Sequence, residues 1–260
     1  MPLTTFQAEV LRVIAANRCV ESHIAGGIAL NSNPESPRIS GDIDIFHDAT
    51  EAIEVASEAD CACLLAAGYS ADRLMWNDTF RRVRVLRGSE FVKLEWAQDS
   101  AWRFFPIERH PVLAWKLHRF DALTNKALAM GSRSETRDLV DLVMNHELTP
   151  LYSIVWAACS KDPGFTPGLL LEQMRRNARI ELLAMEEMGL SMQPSELKSK
   201  WLEIARETEA AILAAGHAGV EPGVVFLAPD GSVKWFDTPG ATIHRATLGG
   251  VIPRLGGVYY

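Results

Sequence analysis

The chain has 260 residues, 48% of them hydrophobic and 23% charged, so it can bury a core in one large domain or two smaller ones. Its net charge of −7 argues against a protein that coats nucleic acid without specificity. The first residues lack the features of a signal peptide, no apolar run is long enough to span a bilayer, and the four cysteines form no CxxC pair. These features predict a cytoplasmic protein with reduced thiols and no membrane partner.

The first predicted elements lead into a pair of glycines. Apolar residues at helical spacing predict a first helix that ends near Asn17, and residues 20–25 predict a short strand. The strand runs into Gly26-Gly27, where the absence of side chains lets the backbone come close to a bound group. The next helix is expected to begin near Ile28. A glycine pair also occurs in many ordinary turns, so its significance depends on the residues of the next strand.

The next predicted strand carries two carboxylates on one face. It comes after Arg38 and Ser40, and Asp42 and Asp44 alternate in it with apolar residues, so both aspartates point the same way. Carboxylates at this spacing repel each other unless a cation lies between them, and Mg²⁺ takes such oxygen ligands together with substrate phosphates. The pair therefore indicates a metal and phosphate site. The alternative is a surface strand with two solvated aspartates.

A predicted hairpin supplies a third carboxylate. Residues 80–87 and 91–97 read as two strands joined by a two-residue turn that begins with glycine. On the second strand Glu95 points away from the apolar face, so a neighbouring strand that carries the two aspartates could approach it. The alternative is a solvated glutamate opposite Arg82 or Arg84.

Basic residues outnumber acidic ones between residues 71 and 120, which reverses the balance of the whole chain. Four of the arginines are clustered: Arg81, Arg82, Arg84 and Arg87. A basic surface with nearby tryptophans suits a polyanion such as RNA or a nucleotide. A solvated strand face with ion pairs explains the same pattern without a ligand.

Polar side chains that can cap a helix mark the starts of four further helices: Asp48, Asp121, Ser134 and Thr166. A short helical run is also predicted at residues 112–117, and the helix after Thr166 is expected to extend to Met188. A long helix is expected over residues 194–216. Residues 224–235 then predict a hairpin, which precedes a glycine-rich tail.

A second group of charged residues lies on the helices between residues 121 and 147. Lys126 could reach a triphosphate as a flexible point charge. Asp138 and Asp141 are three residues apart on one helix face, so either could hold Lys126 or pair with an arginine. Taken alone, each is an ordinary charge on a helix surface.

Together the two groups of residues resemble the nucleotidyltransferase superfamily, and most of all its bacterial AbiEii-type group, whose characterised members include toxins of toxin–antitoxin and phage-abortive systems. The first motif is Gly26-Gly27 with Arg38, Ser40 and Asp42-Ile43-Asp44. The second motif is Asp121, Thr124-Asn125-Lys126, Arg133, Arg137-Asp138 and Asp141. The resemblance covers roughly residues 20–147.

The resemblance implies an α+β fold. Residues 1–148 would form a catalytic domain with a mixed sheet flanked by helices. Residues 149–260 would form a mostly helical C-terminal domain with a terminal β-hairpin and the glycine-rich tail. The first range follows the extent of the resemblance, and the second begins where the predicted elements change to long helices.

The same resemblance implies roles for the individual residues. Asp42 and Asp44 would bind Mg²⁺ or Mn²⁺, with Glu95 as a third ligand or general base. Lys126 would contact the phosphates of an NTP, and Asp138 would orient Lys126 or the acceptor. The residues that it implies for nucleotide binding are Gly26, Gly27, Arg38, Ser40, Lys126 and Asp138.

The implied reaction is metal-dependent transfer of a nucleotide from an NTP to an acceptor. The acceptor would be tRNA or another RNA, in a toxin or phage-defence role with an antitoxin protein as partner. One alternative keeps the reaction and changes the acceptor to a small molecule or a protein. Another is a catalytically silent module that binds a nucleotide or a partner. A purely structural protein gives no reason for the two motifs to occur together.

Overall fold

The computed structural model describes residues 3–33, 36 and 38–250. These residues form two compact units, one comprising Met1–Ala101 with Pro106–Ala122 and the other Trp102–Phe105 with Leu123–Tyr260. The predicted α+β class is confirmed, because the first unit holds a large mixed sheet and the second holds helices with small antiparallel sheets. This division into compact units does not test the predicted boundary between a catalytic domain and a C-terminal domain at residue 148, which stays a prediction.

The described residues form helices and strands that we number in chain order. The helices are α1 (Thr5–Ile14), α2 (Gly26–Asn31), α3 (Glu51–Ala66), α4 (Arg119–Ser132), α5 (Thr136–Asn145), α6 (Leu151–Ala158), α7 (Pro167–Asn177), α8 (Leu182–Glu187) and α9 (Pro194–His217). The strands are β1 (Ser22–Ala25), β2 (Asp42–His47), β3 (Ser70–Trp76), β4 (Phe80–Arg87), β5 (Glu90–Gln98), β6 (Trp102–Arg103), β7 (Glu108–His110), β8 (Ala114–Lys116), β9 (Val224–Leu227), β10 (Val233–Lys234), β11 (Thr242–Arg245) and β12 (Thr247–Leu248). None of the helices in these ranges has the length and apolar character needed to cross a membrane.

The large sheet of the first unit has the strand order β3-β4-β5-β2-β1-β8-β7. β2 lies at its centre, antiparallel to β1 and parallel to β5. Ile43 and Ile45 of β2 are fully buried in a core that α1 and α3 also supply. Because side chains alternate along a strand, the aspartates of β2 lie on the opposite face of the sheet from this core. The predicted hairpin of β4 and β5 is confirmed, with its turn at Gly88 in the left-handed region (φ 63°).

The helix predicted at residues 112–117 is wrong, because this segment belongs to the hairpin of β7 and β8. Nδ1 of His110 accepts hydrogen bonds from the backbone N–H groups of Val112 (3.2 Å) and Leu113 (3.1 Å), which closes the turn. Ala114 has a positive φ of 58°, and β8 pairs in parallel with β1. A short apolar run does not distinguish a strand from a helix, so tertiary pairing decides the outcome here.

The starts of α2 and α3 also differ from prediction. α2 begins at Gly26 instead of near Ile28. The N-cap of α3 is Thr50, without a side-chain capping bond, so the predicted cap at Asp48 is wrong. The backbone N–H of Asp48 instead donates to the carbonyl of Glu21, and thereby extends the contact between the ends of β1 and β2.

Two predicted caps on later helices are wrong, and one is confirmed. Asp121 lies within the first turn of α4, and Ser134 precedes Glu135, the N-cap of α5. The Thr166 side chain caps α7, but the helix predicted to continue to Met188 is divided into α7 and α8. Thr136 Oγ1 of α5 holds the intervening segment, because it donates to the carbonyl of Arg179 and accepts from the N–H of Glu181.

The second unit contains the predicted C-terminal hairpin as β9 and β10, and its long helix is confirmed as α9. β11 adds a third strand that the sequence did not predict, and β12 pairs with β6. Trp156, Val224 and Phe226 pack in a small core beside this sheet. Most of the predicted glycine-rich tail, from residue 251 onward, lies outside the described residues.

Candidate active site

The Gly26-Gly27 turn lies directly against the polar side chains of the first motif. Gly26 has a positive φ of 58°, and a Cβ placed there would overlap the carboxylate of Asp44. A Cβ on Gly27 would lie 2.6 Å from Oγ of Ser40 and 2.7 Å from Nη2 of Arg38. A Cβ at either position would force these side chains to shift, so the two glycines permit this close approach. The structure thus brings these predicted residues together.

Asp42 and Asp44 share the face of β2 that points away from the core, as predicted. Asp44 lies opposite Ala25, the last residue of β1, in the antiparallel register. The side chain of Asp42 is 17% exposed, and Nζ of Lys93 lies 3.7 Å from its Oδ1. The two carboxylates are therefore accessible at the centre of the sheet, beside the glycine turn.

Glu95 satisfies both interpretations that the sequence left open. It lies opposite Asp44 in the parallel register of β2 and β5, so the predicted neighbourhood of the carboxylates is confirmed. Its Oε1 also accepts a hydrogen bond of 2.7 Å from Nε of Arg82 on β4. To bind a metal, Glu95 would use its second carboxylate oxygen or release Arg82.

The donor atoms at Asp42 and Asp44 suit a hard divalent cation such as Mg²⁺ or Mn²⁺, which prefers carboxylate oxygens. Within residues 3–33, 36 and 38–250, no group of three or more His, Cys, Asp or Glu side chains is arranged to hold a metal ion. The residues therefore fit a cation held by two carboxylates and by substrate phosphates. The third ligand, Glu95, stays a prediction.

Arg38 and Ser40 are buried just before β2. Nη1 of Arg38 donates to the carbonyl of Ile39 (2.9 Å), and the carbonyl of Ser40 accepts a bond of 2.6 Å from Nε2 of Gln7. Gln7 belongs to α1, so the first helix of the chain fixes the backbone that leads into β2. These contacts hold the two polar side chains against Gly27.

The second motif forms a buried ion cluster in the second unit. Nζ of Lys126 on α4 lies 2.8 Å from Oδ1 of Asp138 and 3.1 Å from Oδ2 of Asp141, both on α5. Nε of Arg133 lies 2.8 Å from Oδ2 of Asp138. The expectation that either aspartate holds Lys126 is confirmed for both. Their assignment to an ordinary helix surface is wrong, because both aspartates are at most 1% exposed.

The charge state of this cluster is set by its contacts. Burial alone would raise the pKa of Asp138, but the charges and hydrogen bonds of Lys126 and Arg133 outweigh burial and lower the pKa below its usual value. Asp138 is therefore ionised at neutral pH. Its carboxylate holds the Lys126 ammonium in a defined position.

The clustered arginines of β4 are divided between the two faces of the sheet. Arg81 is buried on the core side, 3.4 Å from Glu54, and its guanidinium stacks on Trp76. Arg84 lies on the other face, 2.9 Å from Asp72. Arg87 also has an acidic partner, in Glu9. Because ion pairs account for these contacts, the cluster gives no separate support to an RNA acceptor.

Two cations lie beside the carboxylates: Arg82, which the sequence offered as a partner of Glu95, and Lys93, to which the sequence gave no role. Lys93 and Arg82 lie on the same sheet face as the aspartates, next to Asp42 and Glu95. Strand alternation does place all four on one face. The register that brings Lys93 to Asp42 depends on the parallel pairing of β2 with β5, which no local pattern shows.

Solved structures of three other proteins resemble the chain over most of its length. JHP933 from Helicobacter pylori has a TM-score of 0.53 at 17% identity, covering 83% of this chain and 97% of its own. A second H. pylori structure, described as a candidate nucleotidyltransferase, has a TM-score of 0.53 at 16% identity, covering 82% and 98%. MenT4, a nucleotidyltransferase toxin from Mycobacterium tuberculosis, has a TM-score of 0.53 at 16% identity, covering 80% and 90%. No protein-family model and no curated protein sequence matches the chain.

These similarities show that the chain has the fold of nucleotidyltransferases. The resemblance to that superfamily, inferred from the two motifs, is confirmed at the level of the fold. The narrower assignment to the AbiEii-type group stays a prediction. Since fold alone does not determine activity, the function must be argued from the site.

Proposed function

We propose that the protein transfers a nucleotide from an NTP to an acceptor, using Asp42 and Asp44 as its metal-binding carboxylates. One observation carries this proposal: both carboxylates lie on the open face of the central strand, and one of them packs against the Gly26 turn. The nucleotidyltransferase fold supports the proposal, because nucleotide transfer is a reaction that uses hard cations and phosphates.

The chain's own side chains would position the reactants. Asp42 and Asp44 would hold Mg²⁺ or Mn²⁺, which would neutralise the triphosphate charge and polarise the reacting phosphorus. Gly26 keeps Asp44 in place by leaving room for its carboxylate. Glu95 would act as third ligand or general base, either through its second carboxylate oxygen or after release from Arg82. Catalysis would then rest on positioning and charge stabilisation.

The remaining residues of the two motifs would bind the nucleotide. In the first unit we assign this role to Gly26, Gly27, Arg38 and Ser40. In the second unit we assign phosphate binding to Lys126, with Asp138 as the residue that positions its ammonium group. The ammonium of Lys126 would serve as a compact positive charge for the phosphates.

We propose RNA, such as tRNA, as the acceptor, in a toxin-like role in the cytoplasm with an antitoxin as partner. The structural similarity to MenT4, which is described as a nucleotidyltransferase toxin, supports the toxin-like role. The RNA acceptor and the antitoxin are what the resemblance of the two motifs implies. A small-molecule or protein acceptor keeps the same site and reaction. A catalytically silent module would bind a nucleotide or a partner at the same site without transferring a nucleotide.

A labelling experiment separates these outcomes. The protein is incubated with Mg²⁺ and each NTP labelled at its α-phosphate, together with total RNA, protein or small molecules from a cell lysate. We expect label in the RNA fraction with the wild-type protein and none with Asp42→Asn. Label in another fraction would change the acceptor. Absence of label from every fraction would contradict nucleotidyl transfer and favour the silent module.

Replacement of Gly26 with alanine tests the role of the glycine turn. The new Cβ would overlap the Asp44 carboxylate, and a left-handed backbone costs a non-glycine residue about 1–2 kcal/mol. Since a misplacement of about 1 Å can cost ~100-fold in rate, we expect a loss of that order in nucleotide transfer. Gly41→Ala is the matched control, because a Cβ there meets no atom within 4 Å. Equal activity of the two variants would show that the close approach has no role.

A further inference from the structure

A cavity of about 520 Å³ lies in the first unit, between α2 and the hairpin of β7 and β8. This volume falls within the range of ~300–1,000 Å³ that is typical of sites for small molecules. The far end of α2 forms one wall, through Ala29, Leu30 and the adjoining Ser32. Neither Asp42 nor Asp44 lines it, so the cavity is separate from the proposed metal site.

The lining of the cavity is basic. Lys116 and Arg119 contribute cationic groups and His110 contributes its ring, and none of the described residues that line the cavity is an aspartate or glutamate. This is unusual for a chain whose net charge is −7. Lys116 is kept in place by Glu108, whose Oε2 lies 2.7 Å from its Nζ. Burial lowers the pKa of Arg119 from its usual value, but a guanidinium remains charged at neutral pH.

His110 presents a neutral donor at the same cavity. Its Nδ1 accepts the backbone hydrogen bonds of Val112 and Leu113, so the ring hydrogen lies on Nε2. Burial, and then the charge of Lys116, lower the pKa of His110, which keeps the ring neutral at pH 7. The Nε2–H group is thus the donor that the ring can offer to a ligand.

The wall that carries His110 is held in a strained conformation. Ala114 has a positive φ of 58°, although its Cβ disfavours this region. Strain of this kind persists where the surrounding structure holds it, and it clusters at ligand sites. The cavity also has apolar lining, with Leu30 on α2 and with Pro111 and Val112 in the turn of the hairpin. Basic donors beside apolar surface suit a phosphate group attached to a ring system.

We propose that this cavity binds a phosphomonoester with a heteroaromatic body, of the size of a nucleoside monophosphate. Arg119 and Lys116 donate to the phosphate, His110 donates from Nε2, and Leu30, Pro111 and Val112 contact the base or sugar. This site lies beyond the nucleotide-transfer site and does not depend on it. The two share α2, which at 1.5 Å per residue is about 9 Å long.

Calorimetric titration in EDTA tests the proposal, because metal-dependent binding at the carboxylates is then suppressed. The probes are AMP, CMP, GMP and UMP, with the matching nucleosides and inorganic phosphate for comparison. We expect one or more monophosphates to bind one per chain, more tightly than the nucleoside or phosphate alone. Asp42→Asn should bind equally well. No binding of any monophosphate at millimolar concentration, or its loss in Asp42→Asn, would overturn the proposal.

Variants of the cavity provide the second part of the test. Arg119→Gln removes a charged donor and should weaken binding about tenfold or more. Ser32→Leu should weaken it by filling the cavity, which keeps the test valid if Arg119→Gln fails to fold. Arg109→Gln is the control, because Arg109 lies on the same hairpin but stacks on Trp115 outside the cavity. Unchanged affinity in both cavity variants, or an equal loss in the control, would refute the site.

Discussion

Replacing Asp42 or Asp44 with asparagine is expected to abolish nucleotide transfer while the fold persists. Asparagine keeps the shape of the side chain but removes the negative charge that a divalent cation needs. Loss of a group that hydrogen-bonds to a metal ligand costs ~10–100-fold in metal affinity or activity. Loss of the ligand itself should therefore lower activity by more than ~100-fold. Neither side chain belongs to the core of β2, which Ile43 and Ile45 form, so thermal unfolding should change little.

Asp72→Asn is the matched control for this prediction. Asp72 lies on β3 opposite Arg84, in the row of cross-strand partners that continues through Lys93 to Asp42. It therefore shares the sheet face with Asp42 and Asp44, the proposed catalytic pair, but it is half-exposed and bound to Arg84. The turnover of labelled NTP and the melting temperature should be measured for each variant. Full activity in both Asp42→Asn and Asp44→Asn would refute the site.

Replacing Lys126 with methionine should have the largest effect on stability. Removing the ammonium leaves Asp138 with only Arg133, and leaves Asp141 buried without the lysine that lies 3.1 Å from it. Breaking a buried ion pair in this way costs about 3–5 kcal/mol. We expect the free energy of unfolding, measured in urea, to fall by about this amount. The difference in stability between Lys126→Met and the wild type should narrow at acid pH. Protonation removes the negative charges of the two carboxyls that lose Lys126.

Two further variants separate the structural role of Lys126 from its proposed role in phosphate binding. Lys161→Met is the control for loss of one lysine, since Lys161 donates to the amide of Asn125, one residue along the chain. Lys161→Met should lower the free energy of unfolding by much less than Lys126→Met. The double variant Lys126→Met/Asp141→Asn also removes the buried charge of Asp141. It should therefore recover part of the free energy of unfolding that Lys126→Met loses. If it folds but fails to bind NTP, Lys126 contacts the phosphates. Normal NTP binding would restrict Lys126 to a structural role.

The central part of the site could be predicted because it depends on local patterns. Alternation along β2 determines that Ile43 is buried and that Asp42 and Asp44 share the other face. The turn at Gly88 determines the pairing of β4 with β5, and hence the face on which Glu95 lies. In such short-range cases the residues that fix the structure are adjacent in the chain.

Other features could not be predicted because they depend on distant partners. Residues 112–117 belong to a hairpin, because β8 pairs in parallel with β1. Their apolar pattern is equally compatible with a helix, so it does not show this pairing. β3 was missed because an edge strand need not alternate polar and apolar residues. The burial of Asp138 results from the packing of α4 and α5, and the sequence shows its charge but not the Lys126 contact.

A crystal structure with Mn²⁺ and a non-hydrolysable NTP tests the central claim most directly, because Mn²⁺ can be located by its anomalous scattering. We predict an anomalous peak within bonding distance of the carboxylate oxygens of both Asp42 and Asp44, in contact with the nucleotide phosphates. The same data would show whether Glu95 leaves Arg82 for the ion. A metal–nucleotide complex bound elsewhere, with these two carboxylates uninvolved, would contradict the proposed site.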